Sequence, residues 1–512
     1  MSTAGTRLKR RLLIGAGTNW LAFAATLAVA FFLTPYLVRK LGDGQFGIWA
    51  FVESILAYFT LFDLGIAACV VRFVARFHAN GDRADLNRLV STAFALFLGL
   101  GGAVFVLGLA LFPFLLSRFS SDVLAFAFLM LANLALTLPL SVFPSILDGL
   151  ERFALKSGIR ISILALRTAG TVWVMEKSPS LLNLGILFTA CNMLEHGLFA
   201  TASFRSLPFL ELRRRHVDRE TIKRVRGYSL HAFLAMVAGR TCTQSGILIV
   251  GFFFGAAPVT YFAIALRLVE FAKALLRTAT NTLTPAVSVL EAKGDGDSIR
   301  KMFVSGTRWV LYLVLPIQVG LVVFGRPFLA IWLGDPAYAE QCYPALVVLS
   351  STLSLVVAQS ISARILYGLG HLRVFARAAL LEALANVSLG ILLCPRYGLL
   401  GVAIATAIPN FVMCLWVIQH TARRIGYPWM QPLQAWLRPI ALVTIPAAVW
   451  SIPNWAIAGW WEFTLALTSG LVPYTLAVFL MELPRRSPFM PFRTQRKLLP
   501  WRSIIKTYRG GP

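Results

Sequence analysis

The sequence predicts an all-α polytopic membrane protein with about 14 transmembrane helices, arranged as two parallel-related six-helix bundles plus two extra C-terminal helices. The supporting observations are that 58% of the residues are hydrophobic, that the mean hydropathy is +0.73, and that charged residues cluster between long apolar runs. The chain carries 48 Lys and Arg against 22 Asp and Glu, a net charge of +26. A nucleic-acid-binding protein of that charge would expose far more polar surface, so that class is excluded.

Each transmembrane helix needs about 20 mostly apolar residues to cross the hydrocarbon layer. The apolar runs of this chain have that length, and they are too continuously apolar for the strands of an outer-membrane barrel. They lie near residues 12–37, 46–70, 90–112, 123–147, 158–175, 181–203, 228–254, 258–290, 303–325, 344–366, 374–394, 398–420, 436–452 and 462–482.

Lysine and arginine concentrate in alternate connections between these runs, and the positive-inside rule places such connections in the cytoplasm. Besides the N-terminal cluster, the basic connections lie at 72–88, 152–160, 205–226 and 485–512. We therefore predict a multi-pass inner-membrane protein, surrounded by membrane lipids, with both termini in the cytoplasm. The basic tail is predicted to lie on anionic headgroups.

A short internal repeat predicts how the runs are grouped. The segment GDRADLNRLV at 81–90 opens the third run and GDGDSIRKMF at 294–303 opens the ninth, so that Gly81 and Gly294 are 213 positions apart. Parallel halves of this kind are a transporter design, with the substrate held between them near the middle of the membrane. The predicted divisions are a six-helix lobe at 1–204, a basic cytoplasmic linker at 205–226, a second six-helix lobe at 227–420, two additional helices at 421–483 and a basic tail at 484–512.

Charged side chains inside apolar runs are costly, so each needs a partner or an aqueous cavity. The eighth run carries Arg267, Glu270, Lys273 and Arg277 at spacings that place all four on one helix face. This stripe has two interpretations. It lines a cavity whose cations bind an anion such as phosphate or pyrophosphate, or it forms an internal ladder of ion pairs.

A second set of polar residues lies in other runs and is a candidate lining of the same cavity. It comprises Arg167 in the fifth run, Glu195 in the sixth and Arg240 in the seventh. Glu382 and Asn386 of the eleventh run are one turn apart, which suits a coupling cation or a proton relay. A salt bridge between Glu382 and Arg240 is the alternative.

Several short motifs resemble the polysaccharide flippase family, which belongs to the multidrug/oligosaccharidyl-lipid/polysaccharide exporter superfamily. The likeness extends over most of the chain before the last two runs, and its motifs are mainly turns and helix ends. They are LGDGQFGIW at 41–49, LFDLGI at 61–66, RFVA at 72–75, LDGLERF at 147–153, IWLG at 331–334 and YGLLGVA at 397–403.

The resemblance implies that the protein moves an undecaprenyl-pyrophosphate-linked oligosaccharide from the cytoplasmic to the periplasmic leaflet, for cell-surface polysaccharide biosynthesis. It also implies alternating access driven by a proton or sodium gradient, a cationic central cavity, no other cofactor, and polysaccharide assembly proteins as partners. In related flippases the last two helices line a groove for the lipid tail. In those relatives a carboxylate and an amide of the eleventh span help to hold sodium, and Glu382 and Asn386 resemble that pair, whereas Arg240 stands where an acidic partner is expected.

Two other functions are the alternatives. A drug/cation antiporter of the same superfamily would have cationic substrates, which the positive stripe opposes. A membrane-embedded polysaccharide polymerase, ligase or glycosyltransferase is the enzymatic alternative, and Asp295 and Asp297 match the DxD pattern of metal–nucleotide-sugar sites. The repeat instead interprets that segment as a turn at the start of a helix, and six scattered cysteines show no metal-ligand spacing. The sequence therefore predicts a transporter without a metal site or enzymatic activity.

Overall fold

The computed structural model describes residues 3–482, except 64, 118, 219–229, 281–282, 428–430, 452–454 and 456. Within these residues the chain is almost entirely helical, and the predicted basic tail lies outside them. The helices are α1 Thr3–Phe59, α2 Ile66–Asn80, α3 Arg83–Leu115, α4 Ser121–Leu140, α5 Val142–Gly149, α6 Phe153–Lys177, α7 Leu181–Ser206, α8 Leu230–Phe254, α9 Ala256–Thr280, α10 Leu283–Ala292, α11 Gly296–Leu333, α12 Pro336–Ser351, α13 Leu353–Gly368, α14 Leu372–Arg424, α15 Gln431–Ser451 and α16 Trp460–Glu482.

The predicted polytopic all-α fold is confirmed. In the part of the chain that the structure describes, nine helical segments are long and apolar enough to cross a membrane. Two of them are double, because α1 and α14 each contain a glycine with non-helical torsion angles, Gly42 (φ 73°) and Gly398 (φ 58°). With α7, α9 and α15, which coincide with the sixth, eighth and thirteenth predicted runs, these segments account for the fourteen predicted spans.

Several spans differ from the predicted continuous runs. The second run ends as a helix at Phe59 and is followed by a 3-10 turn, Thr60–Asp63, before α2 begins, and the eighth run divides into α9 and α10. The fourth run is interrupted between α4 and α5, because Pro144 has no N–H to donate to the Leu140 carbonyl and its ring clashes with that carbonyl.

The tenth run begins earlier than predicted, at Pro336, and is interrupted between α12 and α13. Here Gln318 of α11 inserts into the helical ladder. Its Nε2 donates to the Ser351 carbonyl at 2.9 Å, and its Oε1 accepts from the Ser354 N–H at 3.1 Å. A side chain that occupies backbone hydrogen-bonding groups in this way bends a helix. The apolar pattern alone contains no signal for such an insertion.

The internal repeat extends to backbone geometry. Gly81 and Gly294 both adopt left-handed torsion angles, with φ of 77° and 69°, directly before α3 and α11. Gly149 and Gly368, at the ends of α5 and α13, pack so closely on Val74 and Val287 that a methyl group would fit at neither glycine. Val74 and Val287 are themselves 213 positions apart. The two halves therefore share one folding plan, although the exact domain boundaries stay predictions.

The two lobes meet through two contacts that the internal repeat relates to each other. Thr260 Oγ1 donates to the Asp43 carbonyl at 2.6 Å, and Gly47 packs against the backbone of Ala256. Under the 213-residue repeat, Asp43 corresponds to Ala256 and Gly47 to Thr260. Each contact is therefore the counterpart of the other, as at an isologous interface between two copies of one surface.

Further inter-lobe contacts lie around the same end of the lobes. The Asp43 carboxylate accepts hydrogen bonds from the hydroxyl groups of Tyr261 (2.5 Å) and Tyr338. Among the described residues, every extensive helix contact between the lobes involves α1 or the 3-10 turn that follows it. The hydrogen bonds of Asp43 thus join the lobes at the end that contains Gly42 and Gly255, whereas the 3-10 turn contacts α8 at the other end of the second span.

The last two helices pack on the second lobe. Trp450 of α15 lies 5.4 Å from the Phe324 ring of α11, measured between centroids, and the Tyr474 hydroxyl of α16 donates to the Tyr312 carbonyl at 2.7 Å. The pair α15–α16 is therefore an addition to the side of α11, outside the repeated core. Its predicted role as a groove for a lipid tail stays a prediction.

Candidate functional site

A cavity of about 1190 Å³ lies between the two lobes. We call its two sides the N-lobe wall, formed by α1, α4, α6 and α7, and the C-lobe wall, formed by α8, α9, α12, α13 and α14. Among the described residues, four basic and three acidic side chains line the cavity. The basic ones are Arg167, Arg240, Arg267 and Lys273, and the acidic ones are Glu53, Glu270 and Glu382.

The predicted stripe of α9 faces this cavity. Arg267, Glu270 and Lys273 all line it, as their spacing on one helix face predicts. The side chain of Arg277 lies outside the described residues. Three of the four residues of the stripe thus lie where the first interpretation expects them, at a cavity.

Both described cations of the stripe form ion pairs. Arg267 Nη2 lies 2.9 Å from Glu53 Oε2 of the other lobe, and its guanidinium lies 5.0 Å from the centre of the Phe46 ring. Lys273 Nζ donates a hydrogen bond to Glu270 Oε1 at 3.0 Å. The stripe thus combines the two sequence interpretations, since its charges face a cavity and are paired at the same time.

Arg167 and Arg240 differ from the stripe in this respect. Neither forms an ion pair with any carboxylate in the described part of the chain, and both line the cavity, one on each wall. The Arg167 guanidinium lies 5.1 Å from the centre of the Phe188 ring, where the negative face of the ring attracts it. These two guanidinium groups are consequently the cations of the cavity that retain free capacity to bind an anion.

Glu382 and Asn386 do not converge on one point. Glu382 lines the cavity, and its Oε1 accepts a hydrogen bond from Asn410 Nδ2 at 2.7 Å. Asn386 is buried, and its Oδ1 accepts from Ser245 Oγ at 2.9 Å. The carboxylate therefore has an amide partner, but it is Asn410 of the following span and not the predicted Asn386, and the salt bridge to Arg240 is absent.

Glu195 also lies outside the cavity lining. Its carboxylate is 3.8 Å from Arg160 Nε of α6. The geometry is that of an ion pair between neighbouring helices, and a role in ion coupling stays a prediction.

The segment that matches the DxD pattern caps a helix. Asp295 accepts hydrogen bonds from the Ser298 hydroxyl at 2.7 Å and from the Ser298 N–H at 3.0 Å, at the start of α11. These bonds stabilise the carboxylate and hold the pKa of Asp295 below its usual value. The side chain is thus used as an N-cap, as the repeat predicts.

Several polar residues of the cavity lining were not predicted as site residues from the sequence. Glu53 is a lone carboxylate within the second apolar run and lines the cavity. A charged side chain in a membrane span costs free energy unless it has a partner or water, and this rule identifies Glu53 as a candidate from the sequence. Asn410 and Asn133 are neutral amides, which are common enough in membrane helices to carry no such signal. Only the three-dimensional arrangement places them at the cavity.

Sequence comparisons relate the chain to glycan flippases. The profile of the family described as polysaccharide biosynthesis protein matches residues 36–340. The probable low-salt glycan biosynthesis flippase Agl15 of Haloferax volcanii is 24% identical over 181 residues, which are 35% of this chain and 38% of that protein. The uncharacterized membrane protein EpsK of Bacillus subtilis is 22% identical over 431 residues, covering 81% of this chain and 84% of that protein. The chain thus matches little more than a third of Agl15 but most of EpsK.

Solved structures share the fold. The lipid II flippase MurJ in an inward closed conformation has a TM-score of 0.71 at 15% identity, covering 92% of this chain and 99% of that one. An inward-facing multidrug resistance MATE family transporter of the MOP superfamily has a TM-score of 0.67 at 13% identity, covering 78% of this chain and 94% of that one. At these identities the likeness shows a common architecture.

Proposed function

The chain belongs to the polysaccharide biosynthesis protein family, and from that premise we propose that it moves a polyprenyl-pyrophosphate-linked oligosaccharide across the inner membrane. It is a multi-pass membrane transporter of the flippase type, with the fold of the MOP superfamily. The proposed direction is from the cytoplasmic to the periplasmic leaflet, as a step in cell-surface polysaccharide biosynthesis. Its partners are then the lipid-linked anionic glycan, the membrane lipids and the assembly proteins that use the product.

Two guanidinium groups carry this proposal. Arg167 and Arg240 line the cavity from opposite walls, without a carboxylate partner among the described residues. A cation at membrane depth is costly unless it is hydrated or meets an opposite charge. A pyrophosphate supplies that charge, and its oxygens accept two parallel hydrogen bonds from a guanidinium group.

The volume of the cavity also supports a large ligand. It measures about 1190 Å³, whereas sites for small molecules usually enclose about 300–1,000 Å³. A pyrophosphate with several sugar rings needs the larger space.

Alternating access is part of the proposal. The hydrogen bonds of Asp43 join the lobes at the end that contains Gly42 and Gly255, and we assign this end to a closed periplasmic gate. Rocking of the lobes about the contacts of α1 would then expose the cavity to each side in turn. Glu382, which lines the cavity and is bonded to Asn410, is the proposed site of coupling to a proton or sodium gradient.

Export of a cationic drug is the second candidate function. The observation that favours it is the presence of three carboxylates in the cavity lining. Two of these, Glu53 and Glu270, are already paired with Arg267 and Lys273. Only Glu382 is left to attract a cation, so the charge distribution favours an anionic substrate.

Translocation of a fluorescent lipid-linked oligosaccharide in reconstituted vesicles tests the proposal. Arg167→Gln and Arg240→Gln should each reduce the rate at least about tenfold, because each removes a charge-assisted contact that is not used within the protein. Arg326→Gln is the matched control. Arg326 is exposed, is paired with Glu340 and lies outside the cavity lining, so the control should retain the wild-type rate.

The proposal fails if both cavity variants translocate the lipid at the control rate in vesicles that contain equal amounts of protein. It also fails if wild-type vesicles accumulate a cationic dye and leave the lipid in place. Proton and sodium gradients imposed in turn on the same vesicles identify the coupling ion, and Glu382→Gln should abolish the stimulation by whichever gradient is effective.

A further inference from the structure

The N-lobe wall differs chemically from the C-lobe wall at positions that the repeat relates. The three charged residues of α9 that line the cavity have counterparts 213 positions earlier, after Gly42 in α1 and in the 3-10 turn. Those counterparts are Ser54, Ala57 and Thr60. All three also line the cavity. At these three related positions the C-lobe wall is charged and the N-lobe wall is neutral.

Two asparagines of the N-lobe wall lie at the same level. Helices α4 and α5 both pack beside α7, with Gly185 of α7 against Phe126 of α4 and Ser203 Oγ of α7 donating to the Phe143 carbonyl of α5 at 3.1 Å. This register places Asn133 of α4 beside Asn192 of α7. Both line the cavity, so two amide groups face the ligand from neighbouring helices.

Asn133 is buried and incompletely bonded. The residue is only 5% exposed, and its Oδ1 has no hydrogen-bond partner among the described residues. A buried amide oxygen without a partner is unfavourable and needs an explanation, and at a cavity wall a hydrogen-bond donor of the ligand is one. The group that satisfies it must donate a hydrogen bond, which a sugar hydroxyl does and a phosphate does not.

An aromatic ring completes this part of the wall. Phe188 lies one turn before Asn192 on α7 and lines the cavity. Its ring is held by Trp49 in an edge-to-face contact at 4.9 Å between centroids, and Trp49 itself is buried. The face of this ring attracts the Arg167 guanidinium, 5.1 Å from the ring centre, so the ring lies between the two amides and a cation of the proposed pyrophosphate site.

We propose that the N-lobe wall contains a carbohydrate subsite, in which Asn133 and Asn192 bond to hydroxyl groups of the glycan beside the Phe188 ring. This inference rests on the proposed function, in which Arg167 and Arg240 bind the pyrophosphate. The two asparagines then select which glycan is transported.

Binding of two lipid probes to the purified protein tests this division. The probes are undecaprenyl pyrophosphate and the same lipid carrying one N-acetylglucosamine, and the wild type should bind the second at least about fivefold more tightly, since it adds hydrogen bonds and ring contacts. Asn133→Leu should remove this preference while leaving the affinity for the bare lipid within about twofold. Asn183→Ala is the control and should keep the preference, because Asn183 lies at the start of α7, is bonded to Ser178 and is outside the cavity lining.

A thermal-unfolding measurement separates binding from a structural role. Without ligand, Asn133→Leu should unfold at the wild-type temperature or above it, because it replaces an unsatisfied buried amide with an apolar side chain of similar volume. Equal binding of both lipids by the wild type, or an unchanged preference in Asn133→Leu, would overturn the carbohydrate subsite and leave the proposed function standing. If the wild type binds neither lipid, both proposals fail.

Discussion

The two walls of the central cavity share a backbone plan and differ in chemistry. On the C-lobe wall, α9 presents a stripe of charges, whereas the related positions of the N-lobe wall carry small neutral side chains. A charged group at membrane depth needs a partner or water, so each lobe can carry charges only where its own surroundings supply them. The two copies of the repeat therefore share their backbone geometry but not their charges. The difference teaches that the repeat determines where a ligand is held, while each lobe separately determines which part of the ligand it contacts.

The largest effect is expected from a change that forces the walls apart. In Gly47→Ala the new methyl group would overlap the Ala256 carbonyl oxygen, so the lobes must separate and the bond from Thr260 to Asp43 must weaken. We expect translocation to fall by about a hundredfold, equivalent to about 2.7 kcal/mol. Vesicle translocation at matched protein amounts measures this change.

Gly44→Ala is the matched control for this substitution. Gly44 is in the same helix, and a methyl group there would contact nothing within 4 Å. Its rate should stay close to that of the wild type. Equal rates for the two alanine variants would show that the two related contacts do not hold the walls in place.

A smaller effect is expected from breaking the ion pair that joins the walls. Arg267→Gln leaves the Glu53 carboxylate without its partner, and the unpaired negative charge repels an anionic substrate. Translocation should therefore fall about fivefold to tenfold. The double variant Arg267→Gln with Glu53→Gln removes both charges and should recover to within about threefold of the wild type. A double-mutant cycle of vesicle translocation rates measures this recovery.

The cycle also distinguishes pairing from substrate binding. If Arg267 binds the pyrophosphate directly, removal of Glu53 cannot compensate for its loss. A double variant as slow as Arg267→Gln alone would therefore assign Arg267 to the ligand and not to the inter-lobe pair.

The smallest effect is expected from making the walls more alike. Thr60 corresponds to Lys273 under the repeat and faces the same cavity. Thr60→Lys should strengthen binding of bare undecaprenyl pyrophosphate about threefold through the added positive charge, and it should slow release to a similar degree. Thr60→Gln, of similar length without the charge, is the control, and equal affinities of the two variants would show that the N-lobe wall does not face the anion.

Much of the fold followed from local sequence patterns. Apolar runs locate the spans because each helix must satisfy its own backbone groups in lipid, and the glycines at 81 and 294 locate the starts of α3 and α11. The breaks were harder to predict. Pro144 explains one of them locally, whereas the break at Thr352 depends on Gln318, a residue of another helix.

The sequence by itself determined the membrane class, the family, the repeat and the helix face on which the charges of α9 lie, because each of these depends on neighbours in the chain. Only the tertiary structure decided the partners of those charges. Arg267 pairs with Glu53 of the other lobe, and Glu382 bonds to Asn410 and not to the nearby Asn386. Helical periodicity gives the direction of a side chain along one helix, but the groups that it meets are supplied by helices distant in sequence.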